Sequence, residues 1–172
     1  MDIKDAIINR RSVRSFTNKK IDINVVKDII KIAHLAPSAG NLQARDFIIV
    51  EDQKLKEKLS IASLNQAFIS EAPMSIVVCA NLKRIESYGS RGKELYCIQD
   101  SAAAIEHILL LATSYELGTC WVGAFNEKEV SNILRLPSYI RPMAIIPIGY
   151  PNKNPAFTSR LDGKKLIHYN YW

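Results

Sequence analysis

The sequence predicts one globular domain in which helices and strands alternate, and three observations lead to this prediction. The chain has 172 residues, 48% of them apolar and 23% charged, so it can bury roughly 70% of its unfolded surface without disulfides or metals. Segments with helical spacing of apolar residues alternate with short apolar runs. No repeat, low-complexity segment or flexible linker divides the chain, so we expect a single domain over residues 1–172.

The first half of the chain predicts three helices and two strands. A short helix is expected over residues 2–10. Between Asp22 and Ala36 the apolar residues recur with helical spacing, and Pro37 ends that helix because proline cannot continue it. Three further elements follow, namely a buried strand over 47–50, an amphipathic helix over 52–62 and a second apolar strand over 74–80.

The most apolar helix of the chain is predicted over residues 95–117. Its apolar residues lie on nearly every side, which is typical of a helix buried by more than one neighbour, and a second subunit is one candidate neighbour. Further along the chain, Asn126 and Glu129 have the spacing of an N-terminal cap. A short helix is therefore expected to begin there and to end near Leu134.

The last part of the chain predicts a strand and an irregular arm. Residues 141–150 have the apolar character of a third strand, which Pro147 is expected to break because proline has no N–H to donate. Residues 151–172 show no periodicity but end in three aromatic residues within four positions. We expect this arm to pack on another surface, since so large an apolar group is rarely left in water.

The chain lacks the features of a secreted or membrane protein. Its N-terminus has no basic start followed by an apolar segment, and its longest wholly apolar runs have five residues, whereas a membrane span needs about 20. Cys79, Cys97 and Cys120 form neither an even set nor a C-x-x-C pair. We therefore expect a cytoplasmic protein in a reducing compartment, with no membrane partner.

Several common catalytic and binding motifs are absent. No G-x-G-x-x-G follows a strand, and neither G-x-x-x-x-G-K-[ST] nor G-x-S-x-G occurs. His34, His107 and His168 are far apart and have no further ligand at the spacing that zinc requires, so no metal site is predicted. Any chemistry is therefore expected to come from a cofactor.

Positive charge is concentrated at the two ends of the chain. The net charge is +6, and residues 1–45 carry nine basic against four acidic side chains, while residues 151–172 carry four against one. Two interpretations stay open at this point. The protein could bind nucleic acid, or its two ends could meet around one small anion.

Four segments offer groups that could bind a ligand. The stretch NRRSVRSF, residues 9–16, supplies three guanidinium groups and a hydroxyl, which suit a phosphate and the carbonyl edge of a heterocycle. Small residues over 38–40 let backbone amides approach a ligand, and a loop within residues 116–130 could present N–H groups to a ring. Arg160 lies in the basic arm. Each segment alone is also typical of ordinary structure, such as a solvated helix end or a turn.

Together these segments resemble the FMN-dependent nitroreductase family in its short form, which is similar to NAD(P)H:FMN oxidoreductases. RRSVRSF resembles the N-terminal flavin motif, PSAGNLQ the second motif, and CWVGAF the loop at the flavin N5 atom. Asn65, within SLNQAFISEAP, and Arg160 match two further positions. The resemblance implies an α+β fold with a mainly antiparallel central sheet flanked by helices. It also implies an interlocked homodimer with FMN at the interface, in which residues 151–172 form an arm on the partner subunit.

The resemblance assigns the phosphate end of FMN to the two basic termini. Arg10, Ser12 and Arg160 would hold the phosphate or ribityl oxygens, with Arg11 nearby. Arg14 would face the N1 and C2 carbonyl edge of the ring.

Other segments would surround the flavin ring. Pro37, Ser38 and Asn41 would line the ring or come from the neighbouring subunit, and Asn65 would bind the pyrimidine side. The backbone of Gly123–Ala124 would lie at N5 and O4. No catalytic side chain and no metal is implied.

The resemblance implies an enzyme that passes electrons from NAD(P)H through N5 of FMN to a small organic acceptor, such as a nitroaromatic, a quinone or a flavin. Because no separate nicotinamide motif is visible, we expect donor and acceptor to use one site in turn, with ping-pong kinetics. The alternatives are a basic nucleic-acid-binding module and a non-redox FMN carrier.

The chain departs from the family pattern at three places. Larger members have Glu-Gly where this chain has Gly123–Ala124, some have Lys where it has Phe68, and Ala44–Arg45 replaces the usual Pro-Trp. We therefore expect the residues around the open face of the flavin to differ here.

Overall fold

The computed structural model describes all residues from 1 to 172 and contains seven helices and four strands. The helices are α1 (Ile3–Asn9), α2 (Ile23–Ala33), α3 (Gln53–Ala62), α4 (Phe68–Glu71), α5 (Gly89–Arg91), α6 (Cys97–Ser114) and α7 (Glu127–Ile133). The strands are β1 (Arg45–Val50), β2 (Met74–Asn81), β3 (Gly118–Thr119) and β4 (Ile140–Gly149). Each predicted helix and strand is present within a few residues of its predicted bounds.

Four helices begin at side chains that cap their first turn. Asp2, Asp22 and Asp52 each accept a hydrogen bond from a backbone N–H in the turn that follows, and Asn126 accepts two. Such caps each contribute about 1 kcal/mol because they satisfy N–H groups that have no partner within the helix. The predicted start at Asn126 is confirmed.

The four strands form one antiparallel sheet in the order β1–β2–β4–β3. All eight residues of β2 are buried, which places this strand at the centre of the molecule. Helices α2 and α6 pack on one face of the sheet, and α3, α4 and α7 pack on the other. The predicted α+β fold with an antiparallel central sheet is confirmed.

Pro147 does not break β4, so that expectation was wrong. Its Cα is paired with Ser75 of β2, and the strand continues to Gly149. The effect of the proline falls on the other neighbour instead. Cys120 donates its N–H to the Pro147 carbonyl at 3.4 Å, but proline has no N–H to return. The pairing is therefore interrupted after Thr119, and it resumes at Val122, which exchanges two hydrogen bonds of 3.0 Å with Ile145 of β4.

Helix α6 is three residues shorter at its end than predicted. It starts from a five-residue π-helical turn, Gly92–Tyr96, and it ends at Ser114 because Glu116 adopts a left-handed backbone with φ of 60°. The helical segment Glu86–Ser114 is long and apolar enough to span a bilayer. Its buried residues pack against α2 and the sheet, as in the core helix of a soluble protein.

Residues 152–172 are exposed along their whole length. Only one turn, Gly163–Lys165, is regular, and Tyr171 and Trp172 lie open to solvent. Helix α1 likewise exposes apolar side chains, among them Ile7. A single copy of the chain therefore leaves much apolar surface uncovered.

Candidate functional site

The two basic ends of the chain meet in one pocket of about 310 Å³. Its lining consists of Arg10, Arg11, Ser12, Arg14, Pro155, Ala156, Phe157, Thr158 and Arg160. Five predicted site residues thus come together, although almost 150 residues separate the two segments. The convergence favours the interpretation that both ends surround one small anion.

The four guanidinium groups of this pocket have no acidic partner. All three ion pairs of the chain lie elsewhere. Arg11 donates to the carbonyls of Ile8 at 2.6 Å and Arg10 at 2.9 Å, and Arg160 donates to the carbonyls of Thr158 and Ser159. Four positive charges without a carboxylate create a site that attracts a multiply charged anion.

The N-terminal segment is held in place by the end of the sheet. Val13 donates its N–H to the Thr119 carbonyl at 2.8 Å, and Thr17 donates to the Tyr150 carbonyl at 2.9 Å. Val13 and its neighbour Phe16 are buried in a small apolar cluster. The arginines before and after Val13 are therefore fixed by a backbone that runs beside β3.

Arg14 lies between an aromatic ring and a cysteine. Its guanidinium carbon is 5.9 Å from the centre of the Phe68 ring, within the range of a cation–π contact. Burial raises the pKa of the Cys120 thiol, while the nearby Arg14 and Arg10 lower it. Cys120 is thus close to the arginines, and nothing in the sequence pattern indicated this contact.

Two loops lie side by side next to this segment. Asn65 is exposed in a left-handed turn with φ of 57°. The following Gln66 donates its side-chain amide to the Ala124 carbonyl at 3.3 Å, and Asn126 donates its N–H to the Ala62 carbonyl at 2.9 Å. The predicted positions Asn65 and Ala124 are therefore brought together.

The loop after β3 presents unused backbone donors. Gly123 and Ala124 are exposed, and their N–H groups donate no hydrogen bond within the chain. The only atom within 4 Å of a β-carbon placed on Gly123 is Trp121 Nε1, at 3.9 Å, so this backbone is open to a ligand. Such donors suit the electronegative edge of a heterocycle.

The second predicted segment lies apart from the arginine pocket in a single chain. Pro37 and Asn41 are exposed, and neither they nor Ser38 line that pocket. The backbone of this loop is left-handed at Gly40, Asn41 and Gln43, with φ of 56°, 55° and 51°. For Gln43 this conformation costs roughly 1–2 kcal/mol, whereas glycine and asparagine adopt it more readily.

Comparison with known proteins identifies the family. A sequence model described as the nitroreductase family matches residues 7–68 and 60–150. The chain belongs to the nitroreductase family. The prediction of an oxidoreductase of this family is therefore confirmed.

Two solved structures and one relative illustrate the similarity. A nitroreductase family protein from Clostridium novyi NT is 38% identical with a TM-score of 0.81, covering 88% of this chain and 86% of that one. B. megaterium NfrA2 is 27% identical with a TM-score of 0.93, covering 100% and 76%. The FMN reductase (NADPH) of Bacillus subtilis is 27% identical over 180 residues, covering 96% of this chain and 72% of the relative.

Arg45, one of the departures from the family pattern, is buried in this nitroreductase. The Arg45 side chain is 1% exposed and donates to the carbonyls of His34, Ala36, Pro37 and Asp100. The sequence left the role of Arg45 open. Its guanidinium binds the carbonyls at the end of α2 and in the loop that follows.

Proposed function

We propose that this nitroreductase is a homodimeric FMN-dependent enzyme that takes electrons from NAD(P)H and passes them to a small organic acceptor. The observation that carries the proposal is the arginine pocket, in which four guanidinium groups and a hydroxyl converge without any acidic side chain. Support also comes from the Bacillus subtilis relative, whose name is FMN reductase (NADPH).

The pocket suits the phosphate group of FMN. A phosphate monoester carries about −1.5 to −2 charges near neutral pH, and guanidinium groups bind its oxygens through paired N–H donors. Arg10 and Arg160 reach the pocket from the two ends of the chain, and Ser12 adds a hydroxyl. Arg11 shapes the wall, since its guanidinium already binds carbonyls and lies 5.1 Å from the centre of the Phe157 ring.

The neighbouring loops suit the flavin ring. Arg14 would stabilise negative charge at the N1 and C2 carbonyl edge, and Phe68 keeps its guanidinium in place. The N–H groups of Gly123 and Ala124 would bind the N5 and O4 side, and Asn65 the pyrimidine side. When bound, FMN supplies a ring that accepts electrons from the nicotinamide and passes them on. We propose one open site for donor and acceptor, used in turn.

A second subunit would complete the site. Pro37, Ser38 and Asn41 lie outside the arginine pocket of their own chain, and we propose that they reach the flavin of the partner. The exposed arm and the apolar side chains of α1 would be covered in the same dimer. A reducing, cytoplasmic location fits the three free cysteines, which are buried.

The shape of the pocket favours this proposal over nucleic-acid binding. A nucleic-acid interface distributes its basic residues along a stripe that follows many phosphates. Here the arginines of both termini surround a space of about 310 Å³, which suits one phosphate group. A non-redox FMN carrier would share this pocket, and it would differ from the proposed enzyme only because it does not catalyse the oxidation of NAD(P)H.

The test compares FMN with riboflavin, which lacks the phosphate. In a fluorescence titration of the purified dimer, we expect FMN to bind at least about tenfold more tightly, since a charge-assisted hydrogen bond contributes about 1.5–3 kcal/mol. Steady-state NADH and NADPH oxidation with a quinone and a nitroaromatic then tests turnover. Equal affinities for the two flavins would remove the phosphate site, and tight FMN binding without turnover would indicate the carrier.

A further inference from the structure

We propose that Arg45 and Asp100 are positioning residues that hold the loop over residues 37–43 in the conformation in which Ser38 and Asn41 can reach the flavin. The inference rests on the proposed function for what the loop binds. The role of the pair in fixing the loop follows from contacts within this chain alone. A buried cation and a buried anion together contact the start and the middle of one short loop.

Arg45 binds the start of the loop and the end of the helix before it. Its guanidinium donates to the Pro37 carbonyl at 3.0 Å, to the His34 carbonyl at 2.8 Å, and to the Ala36 carbonyl. It also donates to the main-chain carbonyl of Asp100 in α6, at 3.0 Å. One planar group with five donors therefore ties the end of α2, the loop and α6 together.

Asp100 binds the middle of the same loop. Its Oδ1 atom accepts a hydrogen bond from the N–H of Ala39 at 2.9 Å, and its side chain is buried. Burial lowers the pKa of Arg45, and the charge of Asp100 acts in the opposite direction. The charge of Asp100 therefore offsets part of the cost of burying the Arg45 guanidinium beneath the loop.

The loop needs such an anchor because its backbone is strained. Asn41 and Gln43 are left-handed although they are not glycine, and Gly40 between Ala39 and Asn41 is left-handed too. A strained backbone persists only where its surroundings determine it, and it is concentrated at ligand-binding sites. Gly40 is also packed tightly, since a β-carbon there would stand 2.6 Å from the Tyr88 hydroxyl.

Arg45 and Asp100 contact the loop from the protein interior, so its outer side is available to a ligand. Pro37 and Asn41 are exposed. The Ser38 hydroxyl oxygen accepts from the N–H of Gln43 at 3.0 Å, so its proton is still free to be donated. Arg45 and Asp100 are themselves buried, which makes them positioning residues rather than binding residues.

The experiment compares five variants of the full chain. Arg45→Met removes the guanidinium, and Arg45→Lys keeps the charge but cannot reach four carbonyls. Asp100→Ala removes the acceptor for Ala39, while Asp100→Asn keeps it. Lys56→Met is the matched control, because Lys56 is another buried cation that donates to two carbonyls, those of Ala72 and Pro73, outside this loop.

Two readouts are taken, amide hydrogen exchange over residues 37–43 without added flavin, and the Kd of FMN. For Arg45→Met and Asp100→Ala we expect exchange in the loop to rise at least about tenfold and FMN binding to weaken about tenfold, as for a lost charge-assisted hydrogen bond. Arg45→Lys should lie between wild type and Arg45→Met. Asp100→Asn should keep slow exchange at Ala39. Lys56→Met should lower the melting temperature without changing either readout.

The outcomes separate the two proposals. Unchanged loop exchange and an unchanged Kd in Arg45→Met or Arg45→Lys, alongside a lower melting temperature, would overturn the positioning role. Faster loop exchange with an unchanged Kd would show that the pair fixes the loop but that the loop does not serve the flavin, which also overturns it. A wild-type protein that does not bind FMN would refute the proposed function, and the exchange data would still decide whether the pair holds the loop.

Discussion

Gly118 lies so close to Val13 that a β-carbon on Gly118 would stand 2.7 Å from the Val13 Cγ2 atom. This contact is where the end of the sheet meets the segment that carries the N-terminal arginines. Substitution of Gly118 by alanine must therefore push that segment away from β3. We expect Gly118→Ala to lower the free energy of unfolding by about 1–3 kcal/mol, as overpacking does, and to weaken FMN binding. Urea denaturation and flavin titration measure the two effects.

Gly163 provides the control for this substitution. No atom lies within 4 Å of a β-carbon placed there, so Gly163→Ala should change stability by less than about 0.5 kcal/mol. If Gly118→Ala and Gly163→Ala were equally stable, the close contact of Gly118 with the Val13 side chain would not determine where the arginine segment lies.

If the two chain ends bind the phosphate of FMN, replacing an arginine at either end should weaken FMN binding to a similar extent. Arg10→Ala and Arg160→Ala should each weaken FMN binding about ten- to a hundredfold, because each removes a charge-assisted contact of about 1.5–3 kcal/mol. Neither should change riboflavin binding as much. Arg91→Ala is the control, since Arg91 is exposed and contacts Tyr96 outside the pocket. Isothermal titration calorimetry with both flavins checks the prediction, and equal losses for FMN and riboflavin would contradict it.

The position of Arg14 predicts an electronic effect. Arg14→Met removes the cation expected near N1 and the C2 carbonyl, so the reduced flavin should lose more stabilisation than the oxidised one. The midpoint potential should therefore fall, and each tenfold loss of preference for the reduced form corresponds to about 30 mV. Arg11→Met should shift it less, because that guanidinium is engaged with backbone carbonyls. Spectroelectrochemistry showing the same potential for Arg14→Met and wild type would place Arg14 away from the ring.

The exposed arm predicts that folding, dimerisation and FMN binding are linked. A ligand bound only by the folded dimer adds about 2.7 kcal/mol of stability at a hundredfold excess over Kd, so added FMN should raise the melting temperature. Deleting residues 166–172 should weaken the dimer and release flavin. Analytical ultracentrifugation and absorbance measure both. A truncated protein that sediments as a fully active, flavin-loaded monomer would refute the link.

The cysteines predict a loss of stability at high pH. Burial raises the pKa of Cys79 from 9.0 to about 12, so the folded state keeps the thiol protonated where the unfolded state loses the proton. The stability this provides is complete below pH 9.0 and is lost as the pH rises towards 12, at no more than about 1.4 kcal/mol per pH unit. Cys79→Ala should lose less stability between pH 8 and 10.5 than wild type. Identical pH profiles would contradict the burial of this thiol.

Much of the fold could be predicted because its signals are local. Caps such as Asp22 and Asn126, the stop at Pro37 and the apolar runs of the strands each act within a few residues. Pro147 shows where this reasoning fails. A proline was expected to end its own strand, but β4 keeps its partner β2, and the missing N–H instead interrupts the pairing on the side of β3. The sequence does not reveal which neighbour lies on which side of a strand.

The candidate site was only partly predictable for the same reason. Arg10 to Arg14 and Arg160 were recognised by resemblance, and the structure brings them to one pocket. Cys120 and Asp100 were missed, because their contacts with Arg14 and Arg45 join residues more than 50 positions apart. The burial of Arg45 could not be predicted either, since an arginine usually lies at the surface and only the fold shows that four carbonyls surround it.

The burial of Arg45 above Asp100 also restricts how this lineage can evolve. Removing either side chain leaves the backbone groups that it binds without that partner. Each buried group left unpaired costs about 1–3 kcal/mol, a considerable share of the roughly 5–15 kcal/mol that keeps a domain folded. A variant in which only one of these two residues has changed would therefore fold poorly. Both must therefore change nearly together, and a library that aims to alter this loop should randomise positions 45 and 100 as a pair.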